Sequence, residues 1–166
     1  MSSDQVADVD ILIVGAGVTG IYQLYRAREA GYSVQLVEAG SGVGGTWYWN
    51  RYPGARYDSE SYTYGYLFSD ELFAEWEWTE HFAGQPENER YFNYVVDKFD
   101  LRRHIRFSTR VTSAVWDSES STWQVTAQKR SNCPKMVYTC WLAGRKRCRT
   151  PWKWWKIIHT NSADFI

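Results

Sequence analysis

Long apolar runs are absent from this sequence. No segment approaches the roughly 20 consecutive apolar residues that a membrane-spanning helix needs, so no membrane partner is expected. The first residues, Met1-Ser2-Ser3-Asp4-Gln5, lack a basic stretch ahead of an apolar core. A secretory leader is therefore not expected, and a cytoplasmic location is. Cysteine is missing until Cys133, and Cys133, Cys140 and Cys148 contain no C-x-x-C pair. That spacing makes zinc the weakest reading, and an odd count without a leader argues against disulfides. His81, His104 and His159 show no metal-ligand spacing either, and a lone histidine is more often a surface or hydrogen-bonded residue. No sign of charge is in excess overall, because 19 Lys/Arg balance 19 Asp/Glu.

What the chain does have is aromatic and apolar content, 17% and 44%, enough for a packed core at a length that suits one ordinary domain. The charge balance conceals a division. Residues 1–128 carry ten Lys/Arg against eighteen Asp/Glu, a net of −8; residues 129–166 carry nine against one, a net of +8. All three cysteines and Trp141, Trp152, Trp154 and Trp155 lie in the basic stretch. The sequence thus divides into a body over 1–128 and a basic, Trp/Cys-rich tail over 129–166.

The body reads as an α/β unit. Val9–Val14 is a short apolar run ending at glycine, which suits a buried parallel strand. Apolar periodicity from Val18 to Ala30 predicts a helix with Gly31 as its C-terminal cap. Ser33–Glu38 predicts a second strand, giving a β-α-β unit with a right-handed crossover. Gly40–Gly65 has no helical or strand period, and a loop of that length in a compact domain is normally functional. Helices follow over Asp70–Trp78 and Pro86–Phe99, the second with Pro86 in its first turn. A short strand at Ile105–Phe107 precedes a hairpin formed by Val111–Trp116 and Thr122–Ala127. Trp76, Trp78, His81 and Phe82 invite reading as a substrate lining, but aromatics on an amphipathic helix are usually core.

Gly15-Ala16-Gly17-Val18-Thr19-Gly20 follows the first strand and opens the first helix. Gly15 permits the tight turn, Gly17 lets the backbone approach a pyrophosphate, and Gly20 allows close helix–strand packing. The helix start at Val18 presents unpaired N–H groups to phosphate. Glu38 ends the second strand, where a carboxylate accepts hydrogen bonds from the adenosine ribose and repels a 2′-phosphate. This predicts FAD or NAD rather than NADP in this loop. Gly40, Gly42 and Gly45 also fit G-x-G-x-x-G, but no helix is expected to begin at Thr46 so close to Pro53 and Gly54.

That fingerprint is followed by Gly44-Gly45-Thr46-Trp47-Tyr48-Trp49-Asn50-Arg51-Tyr52-Pro53-Gly54-Ala55-Arg56-Tyr57-Asp58. From about Asp10 to about Val125 the chain resembles the Baeyer–Villiger monooxygenases. These flavoproteins use FAD, NADPH and molecular oxygen to convert ketones to esters or lactones. The resemblance implies a partial Rossmann-like FAD-binding domain. Thr46, Trp47, Tyr48 and Trp49 would line the flavin, while Arg56, Tyr57 and Asp58 would sit where the nicotinamide meets it. Asp58 matches a catalytic acid that holds an arginine over the isoalloxazine, where the pair stabilises developing negative charge. Tyr64 and Val111 match further FAD contacts, Val111 near the adenine. The small-molecule partner implied is a ketone. A related flavin monooxygenase acting on nitrogen or sulfur is the alternative, and the Trp47–Gly54 run speaks against it.

The resemblance stops near Gln128. In the family a hairpin such as Val111–Ala127 is followed by a strand returning to the parallel sheet, and Met136–Gly144 reads as a degenerate version of it. The segment Arg145–Lys156 resembles nothing in the family, and the second dinucleotide unit, the catalytic arginine and the substrate half are not in the sequence. The expectation is a truncated chain that holds FAD weakly or not at all and is inactive alone. Off-frame translation accounts for the tail better than binding of nucleic acid or anionic lipid, so neither partner is expected.

Overall fold

The computed structural model describes residues 5–129 and 136–141. A parallel sheet, β2 (Ile11–Val14), β3 (Val34–Val37) and β4 (Ile105–Arg106), occupies the middle. Ile13 pairs with Leu36, and Leu36 with Ile105. Both faces of this sheet are covered, as parallel strands require. Val34, Leu36 and Ile13 point to one side, where α1 (Val18–Glu29) contributes Ile21 and Leu24 and α5 (Gln85–Lys98) contributes Tyr91, Phe92 and Val95. Leu12, Val14 and Val37 point to the other, against Val111, Val125 and Ala127. Those three belong to the antiparallel pair β5 (Thr109–Asp117) and β6 (Thr122–Lys129). Among the described residues, no helix is long and apolar enough to cross a membrane.

Several boundaries differ from those the sequence suggests. The run Val9–Val14 is two strands, not one: β1 (Gln5–Val9) pairs with a different sheet from β2. The break falls at Asp10, whose carboxylate accepts from the Ser33 N–H at 2.9 Å and the Ser33 hydroxyl at 2.6 Å. Residues 136–141 form β7, which runs antiparallel beside β6 and parallel beside β1. The returning strand thus lies in the sheet of order β1-β7-β6-β5, apart from β2-β3-β4. Inside Gly40–Gly65 there are two one-turn helices, α2 (Thr46–Trp49) and α3 (Ser61–Tyr64). A helix therefore does begin at Thr46, contrary to the sequence expectation. It lasts one turn and closes at Asn50, before Pro53 and Gly54 intervene. Helix α4 (Asp70–Glu75) starts at Ser69, whose hydroxyl accepts from the Leu72 N–H, and stops short of Trp78. The tail cysteines Cys133 and Cys148, and the segment Arg145–Lys156, lie outside the described residues.

Candidate functional site

Strands β2 and β3 end side by side, and the two loops that leave them interlock. The Gly15 N–H donates to Val37 O at 2.8 Å, and the Gly44 N–H donates to Ala16 O at 2.9 Å. Gly15 has φ +97°, a conformation that favours glycine. A Cβ on Gly20 would lie 1.9 Å from Gly15 O, so the helix packs against the turn at a distance only glycine allows. Gly17 is different: a Cβ there would meet nothing closer than Gly45 Cα at 3.6 Å. Gly17 is the N-cap of a helix start that no side chain caps and that has no acidic residue in its first turn. Val18, at that start, is 38% exposed. Free N–H groups and the positive end of the helix dipole together suit an anion.

Glu38 is only 5% exposed. One carboxylate oxygen accepts from the Ala16 N–H at 2.7 Å, the other from the Gly40 N–H at 2.6 Å. The acid thereby bridges the glycine turn and the loop after β3, and each oxygen keeps a further lone pair. Beside it, the Thr109 N–H donates to Glu38 O at 2.8 Å and the Ser108 N–H to Gly40 O at 2.7 Å. A cavity of about 390 Å³ opens there, lined by Arg106, Phe107, Ser108, Thr109 and Lys129. Val111 lies on β5, half-buried against the Val37 cluster.

The aromatic block divides by side. Trp47 is 6% exposed, and its Nε1 donates to the Tyr64 hydroxyl at 2.8 Å. Tyr57 and Tyr64 rings lie 3.8 Å apart and both approach Trp47 edge-on. The buried Trp47 and the half-buried Tyr57 and Tyr64 form a backing. Thr46 is exposed, and Trp49 is 45% exposed. Tyr48 turns back on its own chain, its ring against Gly40 and Gly42. The second glycine match, at Gly40, Gly42 and Gly45, is thereby explained: two of its glycines seat a ring, and the third, at φ +55°, faces Gly17 Cα. Arg56 is held by Glu80 and by Phe82 O. Asp58 is exposed, and no described basic residue pairs with it.

Sequence reasoning missed the clamp behind the block. Gln85 is 7% exposed and donates from Nε2 to Trp47 O and to Glu89 Oε2. Glu89 pairs with Arg51, whose Nε donates to Tyr48 O at 2.9 Å. A buried polar residue at the start of an amphipathic helix, with an acid at i+4, was the available signal. Trp76 and Trp78 pack against Tyr91, as a core role predicts, but they also border a cavity of about 150 Å³ with Tyr66 and Phe73. Phe82 is 41% exposed and His81 sits beside Glu60 at 3.3 Å, so neither is core.

A glycine turn between a parallel strand and a helix, with a buried acid ending the next strand, defines a Rossmann-like dinucleotide-binding unit. A family model described as an NAD(P)-binding Rossmann-like domain matches residues 13–73. The acetone monooxygenase (methyl acetate-forming) of Gordonia sp. (strain TY-5) is 52% identical over 118 residues, 71% of this chain and 22% of that protein. The phenazine N-monooxygenase PhzNO1 of Lysobacter antibioticus is 43% identical over 118 residues, 70% of this chain and 22% of that protein. The crystal structure of OTEMO in complex with FAD and NADP is 50% identical with a TM-score of 0.72, covering 80% of this chain and 24% of that one. The chain's homologues are Baeyer–Villiger and related flavin monooxygenases, matched over 70–80% of this chain. It spans about a fifth of the length of the curated relatives it matches, 22% of the acetone monooxygenase.

Proposed function

We propose that this chain is the FAD-binding part of an NADPH-using Baeyer–Villiger-type monooxygenase that converts a ketone to an ester or lactone with molecular oxygen. The observation that carries the reading is the joint placement of the Gly15–Gly20 turn and Glu38 at one sheet edge, with Glu38 bonded to Ala16 N–H at 2.7 Å. The residues fit a dinucleotide: the space beside Gly17 would admit a pyrophosphate, and the remaining Glu38 lone pairs would accept from ribose hydroxyls. The adenosine would extend toward Val111 and the cavity lined by Arg106, Ser108 and Lys129. Thr46 and Trp49 offer the exposed side of the aromatic block to the flavin, with Trp47, Tyr57 and Tyr64 behind. Arg56 and Asp58 stand on the nicotinamide side, where exposed Asp58 would hold a cationic partner. Bound FAD supplies the redox chemistry that NADPH and oxygen feed, in a cytoplasmic setting.

Similarity to the phenazine N-monooxygenase supports nitrogen oxidation as the second reading. The acetone monooxygenase, at 52% identity, favours the ketone. The test is titration of the purified chain with FAD and ADP by calorimetry. One weak but saturable site for which both ligands compete, abolished in Gly17→Val, is the expected result. Binding unchanged in Gly17→Val, or no binding of either ligand, overturns the reading.

A further inference from the structure

We propose that Tyr48 is a positioning residue for the adenosine-diphosphate half of the dinucleotide: it locks the Gly40–Gly42 turn and, through the Gly40 N–H, aims the Glu38 carboxylate. The inference rests on the dinucleotide-binding reading above and changes what one residue of the aromatic block does in it. Three aromatics in a row, Trp47, Tyr48 and Trp49, look alike in sequence, yet the structure gives them three different surroundings. Trp47 is anchored in the core and Trp49 is open to solvent. The Tyr48 ring is committed to the chain itself. A Cβ on Gly40 would lie 2.5 Å from that ring, and one on Gly42 3.0 Å from it.

The hydroxyl completes the lock. Tyr48 Oη accepts from the Ser41 N–H at 2.9 Å and lies 2.8 Å from Ser41 Oγ. These two bonds from Ser41, the hydroxyl first, hold the phenol below its usual tyrosine pKa, as befits an oxygen used as an acceptor. One residue earlier, the Gly40 N–H donates to Glu38 Oε1 at 2.6 Å. A continuous path results. The buried Trp47 fixes α2, α2 carries Tyr48, Tyr48 fixes Ser41 and Gly40, and Gly40 fixes one oxygen of Glu38. The other oxygen is fixed by Ala16, so the carboxylate plane is determined at both ends. A carboxylate that accepts from two adjacent ribose hydroxyls needs that plane held, because rotation about its last bond misaligns both acceptors at once.

Calorimetry with three probes separates this role from contact with the flavin: FAD, ADP, which has no isoalloxazine, and 2′,3′-dideoxy-ADP, which has no ribose diol. Tyr48→Phe keeps the ring and removes the acceptor. It removes both Ser41 bonds and is expected to weaken ADP and FAD by the same factor, about fivefold, because the loss reaches the ligand only through Glu38. It should leave dideoxy-ADP unchanged, and it should add nothing in a Glu38→Gln background. Weaker FAD with unchanged ADP would mean that the ring touches the flavin. Equal loss of all three probes, or full additivity with Glu38→Gln, would mean that the effect does not pass through Glu38. Either result, or affinities identical to wild type, overturns the proposal. A wild-type chain that binds none of the probes removes the dinucleotide-binding reading itself, and this inference with it.

Discussion

Glycines at two positions of one turn do different work, and single methyl groups separate them. At Gly20 an added Cβ would sit 1.9 Å from the Gly15 carbonyl oxygen, a backbone atom that cannot step aside without moving the end of β2. Gly20→Ala should therefore lose stability, by about 1–3 kcal/mol as for other overpacked sites, read as a lower urea midpoint. At Gly17 the backbone has φ −83° and the nearest neighbour of an added Cβ is 3.6 Å away, so alanine fits the protein itself. Gly17→Ala should keep the wild-type urea midpoint and lose ADP binding, because the methyl occupies ligand space. A destabilised Gly17→Ala that still bound ADP would reverse the assignment. The close packing at Gly20 was legible from spacing alone, and so was the position of the acid at Glu38. Its bridging bonds to Ala16 and Gly40 were not, because they depend on how two loops fold toward each other.

Elements with a strong period were also legible: α1 and α5 run where their apolar stripes place them, and β5 and β6 pair as alternation predicts. The one-turn α2 escaped notice because four residues cannot display a period of 3.6; tertiary bonds hold it. Chief among them is Gln85 at the start of α5, which donates to the Trp47 carbonyl. Gln85→Ala leaves that carbonyl without its buried partner and should cost about 1–3 kcal/mol in chemical denaturation. Glu89→Gln, which weakens a pair whose Arg51 side chain is 55% exposed, should cost less than about 1 kcal/mol. Equal losses in the two variants would place the clamp in the ion pair rather than the amide. Helix α5 also carries Tyr91, whose hydroxyl accepts from the Tyr66 N–H at 2.7 Å. Burial pushes the Tyr91 phenol up to about 12 and raises that of Tyr66 as well. The unfolded value is the lower one, near 10. The stabilisation is thus complete below pH 10 and is lost as pH rises through 12, since the unfolded chain releases the proton first. Alkaline titration at 295 nm should show a late tyrosine fraction that ionises together with loss of helix. Ionisation of every tyrosine near pH 10 with the fold intact would show these phenols to be accessible.

For the molecule as a whole, three layers bring one dinucleotide edge into being: helices α1 and α5, the parallel strands, and the β5–β6 pair. Hydride transfer from NADPH to FAD needs both dinucleotides held at once, face to face. The described residues provide one glycine turn that leads from a strand into a multi-turn helix, and Glu38 beside it disfavours the 2′-phosphate of NADPH. They also leave Asp58 exposed and without a basic partner, so the charge stabilisation expected of that acid has no cation to act through. Binding and turnover should accordingly separate. The purified chain with saturating FAD, NADPH and cyclohexanone is expected to consume NADPH no faster than free FAD does, although ADP and FAD still bind. The measurement is the decay of NADPH absorbance at 340 nm with and without the ketone. Ketone-dependent consumption that disappears in Asp58→Ala would show that these residues assemble a working centre on their own. One dinucleotide edge would then be enough for the reaction.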